Sequence, residues 1–507
     1  MLVKQISKRL TSKTSPSSSL LPPGPSKLPV IGHLHHLVGS LPHHSLKDLA
    51  KIHGPIMYLK FGEVSAVVIS SPSVVKQMMK THDLMFVDRP LNLAAKIMSY
   101  QCKDVVMAPY GEYWRQVRKI CILELLSAKR VQSFWRVREE EVSNLIQRIS
   151  SKADGSQVIN LSEKIFTLTN DITARATFGK TCKDKQAPFI SVIKEVIRLA
   201  SGFDIADLFP SLKFMEVISG TKPKIERMHQ KVDKMLNDII KEHKQNRMAR
   251  LARGEAEEEL VLDVLLRLLE GRELDIPITM DNVKAVTLDM FFAGTDTSST
   301  VTEWAFAELL RNPRAMKKAQ AEVRRIFNGK KKIDQADMNE LSYLRLVIKE
   351  ALRLHPPAPL LVPRECRETC EMVGYEIPKG CKVIVNAWAM GRDPENWSDP
   401  ESFEPERFED VDIDYKGTNF KYIPFGGGRR ICPGILFGIA NIELPLALLL
   451  YHFDWKLADG IKPEQLDMTE AFSAVVKRQN SLYVIPTTYI DFRNNTRAST
   501  VTKYSVS

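Results

Sequence analysis

The sequence has no run of about 18–20 apolar residues, the length a helix needs to cross a bilayer, so none of its segments is expected to span one. The nearest approach, "ILFGIANIELPLALLLYHF", is interrupted by Asn441, Glu443 and Pro445 and reads as a core helix. Cysteine is scarce. Seven in 507 residues, an odd number without framework spacing, exclude a disulfide scaffold and point to a reducing compartment. Cys366 and Cys370 share the segment "RECRETC", but no second pair or histidine run completes a zinc site, and they read as ordinary thiols. Helix-turn-helix, zinc-finger and RNP-like patterns are missing, so nucleic acid is not an expected partner. Internal repeats are missing as well.

The composition is that of a globular protein, 44% hydrophobic and 26% charged. A chain of this length buries roughly 75% of its unfolded surface. The net charge of +11 suits an anionic membrane surface or an acidic protein partner. The opening "MLVKQISKRLTSK" is basic and polar, and "LPPGPSKLPVIGHL" reads as a proline- and glycine-punctuated hinge. The histidines of "GHLHHLVGSLPHH" read as surface or packing residues rather than metal ligands.

Along the chain, "IMYLKFGEVSAVVIS" has two β-rich halves split by Gly62-Glu63, a hairpin signature. From residue 112 to about 355 the apolar spacing is helical. Within it, "KEHKQNRMARLARGEAEEEL" is charged all round and predicts a solvated helix end with a connection after it. A long helix is predicted from about Asp281 to Asn312, stopped by Pro313. A second, "LSYLRLVIKEALRLHPP", stops at its prolines, and short β pieces follow in "EMVGYEIPKGCKVIVNAW". The expected fold is one domain, mainly α with a small β-rich part.

Chemistry concentrates in four places. In "PFGGGRRICPGILFG" the glycines allow close backbone approach, and Cys432 sits at a helix mouth behind Arg429 and Arg430. Those cations and the helix N–H groups predict a thiolate of lowered pKa, either a nucleophile or a metal ligand. In the middle of the long helix, "AGTDTSST" gathers poor helix formers that should loosen the hydrogen-bond ladder locally and let hydroxyls or water in. Glu350 and Arg353 share a helix face, a pattern that alone means only a surface ion pair worth about 0.2–0.5 kcal/mol. Trp114 and Arg118 in "YWRQVRK" likewise share a face, as an aromatic–cation pair does.

Phe425, Gly428, Arg430, Cys432 and Gly434 complete the pattern F-x-x-G-x-R-x-C-x-G, which closely resembles the haem-binding loop of the cytochrome P450 monooxygenases. "FGGGRRICPG", "AGTDTS" and "LRLHPP" together look like the plant 71-type (71D-like) members, and the likeness runs from Leu21 to about residue 487. The resemblance implies the P450 fold and haem b, iron protoporphyrin IX, with Cys432 as axial ligand to its iron and Phe425 packed near the sulfur. It implies propionate partners in Arg430, Trp114, Arg118 and Arg364. Asp296 and Thr297 are implied as the acid–alcohol pair through which protons reach dioxygen, with Ala293 and Gly294 leaving room for the gas. Glu350, Arg353 and Arg407 of "PERF" are implied as a buried charge network that locks the meander beneath the haem.

On this resemblance the chain divides into a basic linker lacking its membrane anchor (1–20), a Pro-rich hinge (21–40), the catalytic domain (41–490) and a tail (491–507). The implied reaction inserts one oxygen atom from O2 into an apolar plant metabolite, a terpenoid first and an indole alkaloid or phenolic second. Electrons would come from NADPH through NADPH–cytochrome P450 reductase, at the cytosolic face of the endoplasmic reticulum membrane. A reductase-independent haem-thiolate isomerase or dehydratase is the rival reading, and the Asp–Thr pair argues against it. A haem sensor would call for a second protein ligand or a regulatory domain, and neither is apparent. The small hydrophobic substrate is expected to meet Ala293, Ala358, Val362 and Phe472, with Leu360 and Leu361 beside them.

Overall fold

At Gly62 the chain reverses with φ +61°, and a Cβ there would stand 2.5 Å from the Leu208 carbonyl oxygen, so the predicted hairpin turn requires glycine. The computed structural model describes residues 20–490 apart from 180–190, 193–194, 196–204, 213–219, 253–258, 272, 273, 331, 472 and 474. Within these lie the strands β1 (Ile56–Phe61), β2 (Val64–Ile69), β3 (Ile159–Asn160), β4 (Arg364–Glu365), β5 (Cys370–Met372), β6 (Tyr375–Ile377), β7 (Lys382–Val385), β8 (Phe453–Leu457), β9 (Glu470–Ala471), β10 (Lys477–Arg478) and β11 (Tyr483–Thr488). β1 and β2 pair antiparallel, β2 and β7 parallel, and β7 and β4 antiparallel, giving a sheet of order β1-β2-β7-β4. The hinge folds onto its edge, where His33 donates its backbone N–H to the Lys60 carbonyl.

Helices make up most of the rest. Those that frame the site are α1 (Pro42–His53), α2 (Glu112–Ile120), α3 (Trp135–Ser150), α4 (Leu161–Phe178), α5 (Thr221–Ala252), α6 (Met280–Arg311), α7 (Pro313–Phe327), α8 (Ser342–Leu354) and α9 (Ile435–His452). α5 extends the charged segment as helix as far as Ala252, and residues 253–258 lie outside the described residues. The largest core brings together Ile146, Ile172, Phe306, Phe327, Leu344 and Leu449, one from each of α3, α4, α6, α7, α8 and α9. Burying such a side chain contributes roughly 1.5–3 kcal/mol. α9 is the one described helix long and apolar enough to cross a membrane, yet 72% of its apolar window is buried, as a core helix requires.

α6 runs unbroken for 32 residues, about 48 Å, starting and ending within a residue of the predicted bounds. Its polar centre brings side-chain hydroxyls into the ladder without a break in the helix. Thr295, Thr297, Thr300 and Thr302 each donate their hydroxyl to the carbonyl one turn back, so these side chains share carbonyls with the backbone ladder.

Glu350 and Arg353 are fully buried rather than on a surface. The Arg353 guanidinium grips Glu350 at 2.7 and 2.8 Å and donates to the carbonyls of Gly391, Pro400 and Ser402. Arg407 reaches the same carboxylate at 2.8 Å and donates to Ser398 and Asp399. One carboxylate thus anchors two cations that together hold the loop from 391 to 407. Replacing Glu350 by Ala strands both guanidiniums in a dry site. The expected loss is about 3–5 kcal/mol, read as a lower urea midpoint, with Glu350→Asp losing less.

Candidate functional site

The cysteine loop is shaped by one carboxylate. Asp83 is buried and accepts from Arg364 at 2.9 Å, from the Arg429 side chain at 2.8 Å and from the Arg429 backbone at 3.2 Å. Gly428 (φ +65°) lies so close that a Cβ would stand 2.6 Å from Asp83 Oδ1 and 2.7 Å from the Met79 carbonyl. The loop then closes with Cys432 N–H on the Phe425 carbonyl at 3.0 Å, and α9 begins three residues later. Phe425 is half-buried, with its ring edge-on to Tyr415 at 5.6 Å.

Cys432 lies deep in the protein, yet the residue is only partly buried. The expectation of a lowered thiol pKa does not hold for the chain alone. Burial pushes Cys432 up, against the Gly434 N–H at 3.3 Å and the Arg118 charge, which pull it down. An N–H at the helix mouth acts in the expected direction, but the cation that does so is Arg118 rather than Arg429 or Arg430, and desolvation outweighs both. Arg429 takes no part, since it turns away to Asp83.

Four guanidiniums gather around this loop. Arg430 is buried and stacks 4.4 Å over Trp114, and it donates to the carbonyls of Val87, Val105, Val106 and Ala108. Trp114 itself donates to Val105 at 3.0 Å, with Arg118 5.6 Å from its ring. Arg118 donates to the Ile431 carbonyl next to the cysteine. Arg364 bridges Asp83 and the Gly427 carbonyl. The fourth, Arg89, was not singled out in the sequence. It donates to Val362 and Pro363, and its Nε has no partner. Burial, then the charges of Arg364, Arg430 and Arg118, hold Arg89 well below the usual arginine range. Burial also brings Arg430 down to about 10. The cluster is a concentration of positive charge, with Arg364 and Arg430 buried and Arg89 and Arg118 half-buried.

The face of α6 that turns to the interior is open in its middle. Ala293 is exposed and Leu288, Asp289, Met290, Phe292 and Thr297 are half-buried, although the helix is otherwise enclosed. Gly294 does not leave room there as expected. A Cβ on it would come within 3.0 Å of Thr173 and 3.1 Å of Phe437, so it permits α4 and α9 to approach α6. Asp289, one turn before Ala293, was also missed, although the spacing 289, 293, 297 marks one helix face. It accepts from the Val105 N–H at 2.9 Å. Burial and the neighbouring Asp104 push it well up, while burial raises Asp104 to about 6.

Thr297 donates its hydroxyl to Ala293, and the Asp296 carboxylate pairs with Lys477 of β10. Nothing in "VVKRQN" singles out that lysine. Ala358 is half-buried and Val362 is 42% exposed, whereas Leu360 and Leu361 pack against the apolar clusters of the sheet and do not turn to the open space. Phe472 lies outside the described residues.

Comparison with known proteins gives a consistent result. The family model for cytochrome P450 matches residues 22–485. Desmethyl-deoxy-podophyllotoxin synthase of Sinopodophyllum hexandrum is 59% identical over 98% of this chain and 96% of its own. Premnaspirodiene oxygenase of Hyoscyamus muticus is 53% identical, covering 95% of each chain, and germacrene A hydroxylase of Barnadesia spinosa 51%, covering 96% of each. A solved zebrafish cytochrome P450 with progesterone superposes with a TM-score of 0.74 at 22% identity, over 89% of this chain and 100% of that one. By its cysteine loop, its helical fold and these matches, the chain belongs to the cytochrome P450 family and is a cytochrome P450 monooxygenase.

Proposed function

We propose that this monooxygenase holds its haem through Cys432 and oxidises an apolar plant terpenoid with electrons from NADPH, delivered by a P450 reductase at the endoplasmic reticulum. The observation that carries the reading is a deep but only partly buried Cys432, together with an exposed Ala293 at the centre of a helix that is otherwise enclosed. The residues fit the cofactor: the orphan Nε of Arg89 and the guanidinium cluster call for anionic groups such as two propionates. Bound haem supplies the iron at which O2 is activated for insertion of one oxygen atom into the substrate.

The chain's own residues do the rest. Arg89, Arg118, Arg364 and Arg430 supply the field that receives the carboxylates, and Trp114 braces two of them. Asp296 is held by Lys477, whose side chain is 30% exposed, so the carboxylate sits between solvent and the interior face of α6. That position suits a proton relay in which Asp296 collects and the Thr297 hydroxyl passes on. Ala293, Ala358 and Val362 offer the substrate an apolar wall. The names of the relatives at 53% and 51% identity support a terpenoid. The relative at 59% favours a podophyllotoxin-type compound as the second reading. The charge of +11 suits an acidic reductase face.

Three outcomes test this. The reduced, carbon monoxide-treated protein should show the red-shifted Soret band of thiolate ligation, and Cys432→Ala should lose it; retention would assign the ligand elsewhere. Thr297→Ala should keep that spectrum yet divert a larger share of NADPH to hydrogen peroxide, and unchanged coupling would remove Thr297 from the relay. With reconstituted reductase, sesquiterpene hydrocarbons should be oxidised in preference to podophyllotoxin-type compounds, and Ala358→Phe should shift the position of oxidation.

A further inference from the structure

Outside the haem-binding region, α1 and β9 bring three ligating side chains to one point. The Nε2 atoms of His43 and His44 lie 2.7 and 2.9 Å from the same oxygen, Oε2 of Glu470, across more than 400 residues of sequence. These ligand atoms all lie within 4.8 Å of one another. The two imidazoles meet edge to face, with centroids 4.5 Å apart and planes at 85°, so their nitrogens converge from different directions. Trp388 fixes all three groups. His44 stacks on it at 4.3 Å, His43 stands edge-on at 5.0 Å, and its indole N–H donates to Glu470 Oε1 at 3.2 Å. A third imidazole backs the carboxylate: His355 is buried and pairs with Glu308 at 2.7 Å, while its other nitrogen, without a partner, lies 4.0 Å from Glu470 Oε1.

We propose that His43, His44 and Glu470 form a site for a zinc-class divalent ion that ties α1 to the β9–β10 hairpin. Two imidazole nitrogens and one carboxylate oxygen are a borderline-soft ligand set, which suits zinc and its neighbours and not magnesium or calcium. An ion with bonds of about 2.0–2.1 Å in tetrahedral geometry needs ligand atoms about 3.3 Å apart. Opening the two imidazole–carboxylate contacts by roughly half an ångström, with the imidazole nitrogens, now within 4.8 Å of each other, adjusting to the same spacing, would admit it. His44, with a side chain 38% exposed, leaves the fourth position to water. The Trp388 N–H on the far carboxylate oxygen is the outer support that ligating carboxylates have. Hydrogen bonding by itself needs only one imidazole on that oxygen.

The test uses tag-free, haem-loaded protein, stripped with a chelator and dialysed against micromolar zinc. Metal content is read by mass spectrometry and affinity by competition with a chromophoric chelator. Wild type should hold one tight equivalent per chain. His44→Gln keeps an N–H to donate to Glu470 but lacks the imidazole, so it should weaken zinc by more than the about 10–100-fold that an outer-shell partner is worth. Glu470→Gln should do the same, while both variants retain the carbon monoxide spectrum of folded protein. The His35→Ala/His36→Ala pair, in the neighbouring histidine segment, should bind zinc as wild type does. Wild type without a tight equivalent, or His44→Gln binding zinc as tightly as wild type, overturns the site. So does loss of the equivalent in the His35/His36 variant, which would mean adventitious binding by surface histidines.

Discussion

Keeping several guanidinium groups inside a protein is the constraint on which the rest of this structure turns. A buried charge without a partner costs several kcal/mol even after the surroundings relax, and arginine cannot escape by losing its proton. The chain meets that cost mainly with backbone. Arg430 takes carbonyls from Val87, Val105, Val106 and Ala108, so the segment before α2 must wrap around it. Asp83 supplies the one strong counter-charge and divides it between Arg364 and Arg429. These bonds place the loop between Gly426 and Gly434, and with it Cys432. The positive field is therefore built by the same contacts that aim the sulfur.

α6 solves the opposite difficulty, polar groups in the middle of a core. Four of its threonines, at 295, 297, 300 and 302, satisfy their hydroxyls within the helix, whereas charged groups on it, Asp296 among them, take partners from outside. On the face that carries Ala293, the polar groups of Asp289 and Thr297 are both hydrogen-bonded. Gly294 completes the arrangement by letting Thr173 and Phe437 close behind it. A helix that is tight on one side and open on the other follows from residue size, not from any break in its backbone.

What could be read from the sequence was local. The bounds of α6, the hairpin at Gly62, the cysteine loop and the charged residues Glu350, Arg353 and Arg407 all announce themselves through spacing of a few residues. Asp83, Arg89 and Lys477 do not, because "THDLMFVDRP" and "VVKRQN" are unremarkable stretches whose partners lie 281 residues away for Asp83 and 181 for Lys477. The thiol of Cys432, in the chain alone, departs from the expectation for a related reason. Cations and helix N–H groups are visible in the neighbouring letters, whereas depth is a property of the whole fold. Gly294 was likewise read by its lack of bulk toward the cavity, when its Cα faces the two helices packed against it.

The two-stranded ribbon of β9 and β10 shows how far side chains, rather than backbone, set the position of a functional group here. It has only two residue pairs, Lys477 with Ala471 and Arg478 with Glu470, and a ladder that short has little stability of its own. Its place comes from contacts at its edges: Lys477 on Asp296, Arg478 near Glu303 at 3.8 Å, and Glu470 held by His43, His44 and Trp388. Glu303 is fixed in turn by Ser162 of α4 at 2.6 Å. The carboxylate of Asp296 is thus positioned through a ribbon that α1 grips from one side and α6 from the other. Helix α1 and the acid at the centre of α6, about 250 residues apart in sequence, both hold the same short ribbon.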